Sequence, residues 1–236
     1  RLGVDYETLS GRNLRLVYCS ISGYGQDGPY RDLPGHDINY ISVAGALGII
    51  GRPGAPPTIP LNILADYAGG GLMAATAIMA ALLAREKMGR GQFIDLAMTE
   101  GTMYVMANIF NRYFSTGEVP RPGQSMLDGA LPEYEVYETA DKRYISVGCL
   151  EPKFFANLCQ ALGRENLVPR RQETEVVRAA FADAFRTRTR AEWFQLLRDR
   201  DICMAQVYSL DEVESDPQVR HRNMIWEVGP ESSKQI

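Results

Sequence analysis

Three side chains in the sequence have the chemistry and the setting for proton transfer: His36, Asp66 and Glu151. Histidine exchanges protons near neutral pH, and a suitably placed carboxylate can act as acid or base. The chain has two histidines, and His221 lies between two arginines, where a solvated surface position is favoured. His36 follows a glycine- and proline-rich loop and precedes a predicted helix, a common place for catalytic groups. Position alone suits His36 to packing or capping as well as to catalysis.

Asp66 lies in an apolar stretch at the start of a predicted helix, and residues 69–71 are all glycine. Each glycine inside a helix costs about 0.5–1 kcal/mol relative to alanine, so three together require a reason. One interpretation is a ligand lying against this backbone, with the amide of Asp66 and the helix start forming an oxyanion site. The other is an N-capping aspartate with close helix packing through the glycines. Composition leaves both open.

Glu151 follows a predicted strand and precedes Pro152, a residue favoured in the first turn of a helix. Taken alone, this position favours a simple carboxylate at a helix N-terminus. Other chemistries are not indicated, because the sequence has no complete phosphate-binding glycine motif and no GxSxG serine motif. The four cysteines lack metal-ligand spacing, so we expect no metal site and four buried, reduced thiols.

The composition is that of an ordinary globular protein, with 236 residues, 45% hydrophobic residues and 23% charged residues. A net charge of -4 gives no basic surface for nucleic acid. The most apolar run, residues 72–84, is too short to span a bilayer, so we expect a buried core helix and no membrane span. No targeting signal is seen in this segment, and we expect a bacterial-type cytoplasm or an organelle matrix.

The pattern of apolar residues predicts α/β layering in the first part of the chain. Residues 14–21 are a continuous apolar run, typical of a strand buried on both faces of a parallel sheet. Asp37 is a candidate N-cap for a helix over residues 38–47. We further expect helical residues over 2–9, 62–86 and 99–115, loops over 23–34 and 51–60, and a second strand over 92–98.

The pattern of predicted elements changes after an irregular stretch at residues 117–132. Residues 134–139 and 143–147 alternate around a short turn and predict a β-hairpin. Further elements are expected in the order helix 152–162, helix 173–186, helix 190–200, strand 205–208 and a capped turn at 209–215.

Three separated motifs resemble, in the right order, the signature segments of the α-methylacyl-CoA racemases, within the class III CoA-transferase superfamily. They are PGHDINY at residues 34–40, PLNILADYAGGG at 60–71 and GCLEPKF at 148–154. Residues 89–92, 126–129 and 134–141 are also similar. In the racemases the matching His and Asp are the two α-proton acid/bases, and the matching Glu orients the His. The resemblance thus implies these roles for His36, Asp66 and Glu151.

The resemblance also implies a substrate site without a resident cofactor, since coenzyme A is part of the acyl-CoA substrate. The residues implied in substrate binding are Asn62, Tyr40, Gly69, Gly70 and Tyr134. The implied fold is α/β, with a partly missing Rossmann-like large domain, long linkers, a small α/β domain and an interlocked homodimer. In these terms residues 1–98 belong to the large domain, 99–134 are helix and linker, 135–229 form the small domain, and 230–236 start a return linker.

Two alternatives to a racemase stay open at this point. In a class III CoA-transferase the matching Asp66 would be the nucleophile that forms an acyl anhydride. His36 and Glu151 favour the racemase, because the transferases resemble these two motifs less. A chain that binds coenzyme A without catalysis is the alternative from another class. The acyl group, whether bile-acid intermediate, branched fatty acid or aromatic acid, is also left open.

Overall fold

The computed structural model describes residues 2–228 and 233–236 as a mixed α/β protein. Contacts divide the chain into two compact units, Arg1–Asp128 and Gly129–Ile236. This division falls inside the predicted linker of residues 99–134, and the predicted domain boundaries of the whole protein stay predictions. The predicted return linker at 230–236 and the end of the predicted small domain lie partly outside the described residues, at 229–232.

The first unit follows the predicted order of elements. In chain order they are α1 (Tyr6–Arg12), β1 (Tyr18–Ser22), α2 (Asp37–Val43), a 3₁₀ turn (Leu47–Ile49), a π-helical segment (Ile63–Leu72), α3 (Met73–Met88), β2 (Phe93–Ala97), α4 (Met98–Val105) and α5 (Ala107–Thr116). The loops at residues 23–34 and 51–60 are irregular, as predicted. Helix α1 starts later than predicted, because the Asp5 side chain caps it by accepting the N–H of Thr8 at 2.9 Å.

Strands β1 and β2 pair in parallel, with Cys19 opposite Ile94, and this confirms the predicted parallel pairing. The expected burial of β1 on both faces is wrong for the described chain. The strand begins at Tyr18, four residues after the start of the apolar run, and its side chains are half-buried or exposed. Helix α3 contacts both strands.

The helix predicted over residues 62–86 exists, but it changes type along its length. Residues Ile63–Leu72 are π-helical and Met73–Met88 are α-helical. The expectation of a buried core helix is wrong within the described chain, because only Ala74 and Ala81 of α3 are buried. The stretch Ile63–Met88 contains an 18-residue window with mean hydropathy 1.6, so it is long and apolar enough to cross a membrane, which by length and composition alone is weak evidence for a span.

The π-helical segment and α4 contact each other backbone to backbone through glycines. A Cβ added to Gly101 would lie 2.0 Å from the carbonyl oxygen of Gly69, and one added to Gly69 would lie 2.7 Å from the amide nitrogen of Thr102. A Cβ on Gly70 would meet the carbonyl of Ala65 at 2.9 Å and the Met98 side chain at 3.0 Å. Helix packing therefore accounts for two of the three consecutive glycines.

The helix predicted over residues 99–115 is two helices, α4 and α5, that meet at Met106. The side chain of Met106 is buried with Tyr40, Ile41 and Ala65 in the core of the first unit. This core joins α2, the π-helical segment and the start of α5. Met98 of α4 and Phe110 of α5 both pack against this core.

The second unit is built on an antiparallel sheet with helices packed against it. Its elements are β3 (Tyr134–Glu138), β4 (Tyr144–Gly148), α6 (Pro152–Ala161), a 3₁₀ turn (Glu165–Arg170), α7 (Thr174–Phe185), α8 (Arg190–Leu197), β5 (Met204–Gln206), α9 (Leu210–Val213), α10 (Pro217–His221), β6 (Trp226–Val228) and β7 (Ser233–Gln235). The predicted hairpin is confirmed, with Tyr134 opposite Gly148, and the predicted helices fall within a few residues of their expected ends.

The core of the second unit is aromatic and aliphatic. Phe155, Phe181 and Phe185 are almost fully buried, with Trp193 and Leu197 beside them. The prediction of four buried thiols is confirmed only in part. Cys149 and Cys159 are buried in this core, whereas Cys19 is half-buried on β1 and Cys203 is exposed just before β5.

We predict that Gly101→Ala destabilises the first unit by about 1–3 kcal/mol, because the new methyl group can be accommodated only by separating two backbones. Gly11→Ala is the matched control, since Gly11 lies in α1 with nothing within 4 Å of its added Cβ. There the gain in helix propensity is expected to raise stability by up to about 1 kcal/mol. Urea denaturation followed by circular dichroism at 222 nm measures both. Equal stability of the two variants would contradict the packing assignment.

Candidate functional site

His36 lies where a loop becomes helix α2. It is the N-cap residue, with extended backbone angles (φ −130°, ψ 177°), and its side chain is exposed. The side-chain oxygen of Asn39 accepts the backbone N–H of His36 at 3.0 Å. The prediction that Asp37 caps this helix is therefore wrong by one residue. The loop-to-helix junction presents the imidazole at the surface of the unit, where a substrate could reach it.

Asp66 lies one turn into the π-helical segment, with its side chain exposed. The side-chain amide of Asn62 donates a hydrogen bond to Asp66 Oδ2 at 3.0 Å. A donor in this position orients the carboxylate and limits the rotation of the side chain. Asn62, predicted to bind substrate, therefore contacts Asp66 directly.

Asp37 links the two predicted acid/base residues. Its carboxylate is buried, and Oδ2 accepts the backbone N–H groups of Ala65 at 2.8 Å and Asp66 at 2.9 Å. Because Asp37 directly follows His36, this interaction brings the backbones of His36 and Asp66 together. The other oxygen, Oδ1, is buried without a hydrogen-bond partner among the described residues.

This arrangement corrects the predicted oxyanion site. The amide of Asp66 was expected to face the substrate, but it is already bonded to the Asp37 carboxylate. Gly69 and Gly70, predicted to bind substrate, are buried against α4, so the open glycine of the three is Gly71. The first N–H groups of a helix have no intrahelical partner, and here a protein carboxylate takes two of them.

Tyr40, also predicted to bind substrate, holds the loop before His36. Its hydroxyl donates to the carbonyl of Gly35 at 2.5 Å, and its ring fills the space beside Gly23, where an added Cβ would lie 2.2 Å from the ring. Burial and then the nearby Tyr24 and Asp66 raise the pKa of Tyr40. A neutral, buried phenol whose hydroxyl is bonded to the backbone fits a structural role.

Glu151 and Tyr134 belong to the second unit. Glu151 is the exposed N-cap residue of α6, and its carbonyl accepts the N–H of Phe155 at 3.0 Å. Partial loss of contact with water, followed by the negative charges of Glu151 and Asp201, raises the pKa of the exposed Cys203. Tyr134 is half-buried at the start of β3. The hydrogen bond predicted between Glu151 and His36 stays a prediction.

Sequence reasoning missed the function of Asp37. The sequence places Asp37 beside His36, which signals a helix start, but its partners lie 28 and 29 residues further along the chain. No local pattern reports a contact of that separation. A metal site is not indicated either, since no group of three His, Cys, Asp or Glu residues suited to a metal occurs in the described part of the chain.

We predict that Asp37→Ala loosens the start of the π-helical segment, because two backbone donors lose a charged acceptor, at a cost of about 1–3 kcal/mol. Hydrogen exchange measured by mass spectrometry over residues 62–72 should become faster. Tryptophan fluorescence would not report this change, since Trp193 and Trp226 both lie in the second unit. Asp32→Ala, at an exposed loop position, is the control. Unchanged exchange in Asp37→Ala would refute the assigned interaction.

The family model for CoA-transferase family III matches residues 1–235 of the chain. Human alpha-methylacyl-CoA racemase is 42% identical over 218 residues, which cover 90% of this chain and 57% of the relative. Acetyl-CoA:oxalate CoA-transferase of Acetobacter aceti is 29% identical, covering 97% of this chain and 61% of the relative.

Solved structures match as well. The crystal structure of a CAIB/BAIF family protein from Brucella suis has a TM-score of 0.83 at 27% identity, covering 98% of this chain and 62% of that chain. This chain thus spans a little over half the length of the racemase it matches. The match of the family model over almost every residue shows that the chain belongs to CoA-transferase family III.

Proposed function

We propose that the whole protein racemises 2-methylacyl-CoA thioesters by moving the proton on the carbon next to the thioester carbonyl. The observation that supports this most directly is the Asp37 carboxylate, which joins the start of the helix behind His36 to the backbone of Asp66. The backbones that carry His36 and Asp66 are thereby joined, which supports two acid/bases from different elements acting on one substrate. The 42% identity to a racemase is in accord with this proposal.

The reaction needs one acid/base on each face of a planar intermediate. One of His36 and Asp66 takes the α-proton, and the electrons of the broken C–H bond pass into the thioester to form an enolate. The other residue gives a proton to the opposite face, which regenerates the thioester with inverted configuration. Coenzyme A remains attached throughout, so the chemistry requires no separate cofactor.

Asn62 and Glu151 would tune the two acid/bases. The amide of Asn62 donates to Asp66 Oδ2 at 3.0 Å, and this orients the carboxylate and leaves its other oxygen for the substrate. In the proposed mechanism Glu151 accepts one ring N–H of His36, which leaves the other ring nitrogen to face the substrate. Tyr40 contributes by holding the His36 loop.

A CoA-transferase is the second candidate, and the family membership and the exposed carboxylate of Asp66 support it. In that reaction the Asp66 carboxylate attacks the thioester carbonyl, coenzyme A leaves as thiolate, and an acyl anhydride forms on the enzyme. The two reactions differ in what becomes attached to Asp66. They differ also in their need for an acceptor acid.

We predict that the full-length protein incorporates deuterium at the α-carbon of a 2-methylacyl-CoA in heavy water without an acceptor acid. Asp66→Asn should lower racemisation by about 10²–10⁴-fold, because one acid/base is lost. Asp32→Asn, at an exposed loop position, should leave the rate unchanged. Chiral analysis of the product and mass spectrometry of the thioester give the two readouts.

Trapping decides between the two enzymes. Hydroxylamine or borohydride is added during turnover, and the protein is analysed by mass spectrometry. An acyl or CoA adduct on Asp66, with turnover only when an acceptor acid is present, would establish the transferase. A protein that gives neither deuterium uptake nor adduct, but binds coenzyme A in calorimetry, would establish the alternative without catalysis.

We further propose that the whole protein is an interlocked homodimer with a Rossmann-like large domain and long linkers. Large apolar side chains exposed on α3 and α5, such as Leu83 and Phe114, support a covering partner. We predict a dimer of the full-length protein in light scattering at micromolar concentration. A monomer with native circular dichroism would be inconsistent with this assembly.

A further inference from the structure

The segment that presents Glu151 is tied down at each of the three residues before it. Between β4 and α6, the N–H of Gly148 donates to the carbonyl of Cys203 at 2.9 Å. The N–H of Cys149 donates to the carbonyl of Glu133 at 2.7 Å. The carbonyl of Leu150 accepts a hydrogen bond from the guanidinium of Arg171 at 2.5 Å. The backbone that leads into Glu151 is therefore fixed from outside its own strand and helix.

The side chain of Arg171 contacts three different residues. Besides the bond from Nη2 to Leu150, its Nε donates to Glu133 Oε1 at 2.7 Å. Its guanidinium also lies over the ring of Phe155, 5.0 Å from the ring centre, where the π-electrons attract a cation. The planar fork of arginine suits two bonds in different directions, which a lysine ammonium on a flexible chain does not reproduce.

Glu133 is the ion-pair partner of Arg171. It is only 3% exposed, and a carboxylate that is this buried requires a cation or hydrogen-bond donors. Its main-chain carbonyl holds Cys149 and its side chain holds Arg171, which in turn holds Leu150. The two residues before Glu151 thus depend on Glu133, which directly precedes β3, and on Arg171.

We propose that Arg171, paired with Glu133, is a positioning residue that fixes the backbone from which Glu151 acts. The inference rests on the proposed function, in which Glu151 orients His36. Small displacements of a catalytic group can lower rates by about 10²-fold, so a loose Glu151 backbone would affect turnover more than substrate binding.

The test compares Arg171→Met with Arg170→Met in the full-length protein. Arg170 is the matched control, because it is the neighbouring arginine and forms its ion pair with Glu173 at the surface. Arg171→Met should speed hydrogen exchange over residues 149–154 and lower kcat for racemisation about 10–100-fold, with KM changed less than threefold. Arg170→Met should change neither the hydrogen exchange over residues 149–154 nor kcat.

A second comparison places Arg171→Met in the background of Glu151→Gln. If Arg171 acts through Glu151, the Arg171→Met substitution lowers kcat in the otherwise wild-type protein but causes no further loss in the Glu151→Gln background. Independent, multiplying losses would overturn the proposal, since a general loss of folding would produce them. Arg171→Lys keeps a cation against Glu133 and should give an intermediate kcat, which covers the case that the Met variant folds poorly.

The remaining outcomes separate this inference from the proposed function. Unchanged exchange over residues 149–154 in Arg171→Met and Arg171→Lys would overturn the positioning role. Faster exchange together with wild-type turnover in Glu151→Gln would support the positioning by Arg171 and refute the role given to Glu151.

Discussion

The described site depends on one buried carboxylate that accepts two backbone N–H groups. Asp37 lies beside His36, and its Oδ2 bonds the amides of Ala65 and Asp66. A carboxylate removed from water must be hydrogen-bonded, and the first amides of a helix have no partner within the helix. The carboxylate gives the amides an acceptor, and the amides give the carboxylate donors. These hydrogen bonds join the two segments that carry His36 and Asp66. Tyr40 and Asn62 refine this arrangement, the first by holding the loop and the second by contacting Asp66.

The second constraint is the contact between backbones at Gly69 and Gly101. It sets how closely the π-helical segment and α4 approach, whereas Asp37 sets where that segment begins. Both constraints use main-chain groups and short side chains, which leave little room for adjustment. Long flexible side chains would permit several arrangements of similar energy. Here the position of Asp66 follows from groups that have few rotamers to choose from.

Local patterns in the sequence predicted the elements well and their contacts poorly. The alternation around residues 140–142 and the prolines and caps of the second unit identify the hairpin and the helices α6 to α8, because these signals act within a few residues. Apolar character alone misled for α3, which is largely exposed in the described chain. The glycines after Asp66 fitted both ligand contact and packing until α4 was seen against them. The hydrogen bond from Ala65 to Asp37 joins residues 28 positions apart, and a single sequence does not indicate which residues at that separation are in contact.

The π-helical segment has a consequence for how this site can change in evolution. Its ten residues, Ile63–Leu72, close hydrogen-bonded turns that are one residue wider than those of an α-helix. Losing one residue there would let the chain close narrower α-helical turns, and the residues before the deletion would change their angular position relative to α3. Asp66 and the amides held by Asp37 would then point elsewhere while the glycines kept their partner. The number of residues in this stretch thus determines the direction of the Asp66 carboxylate. Substitutions on its exposed surface are expected to be tolerated, whereas insertion or deletion of a single residue is not.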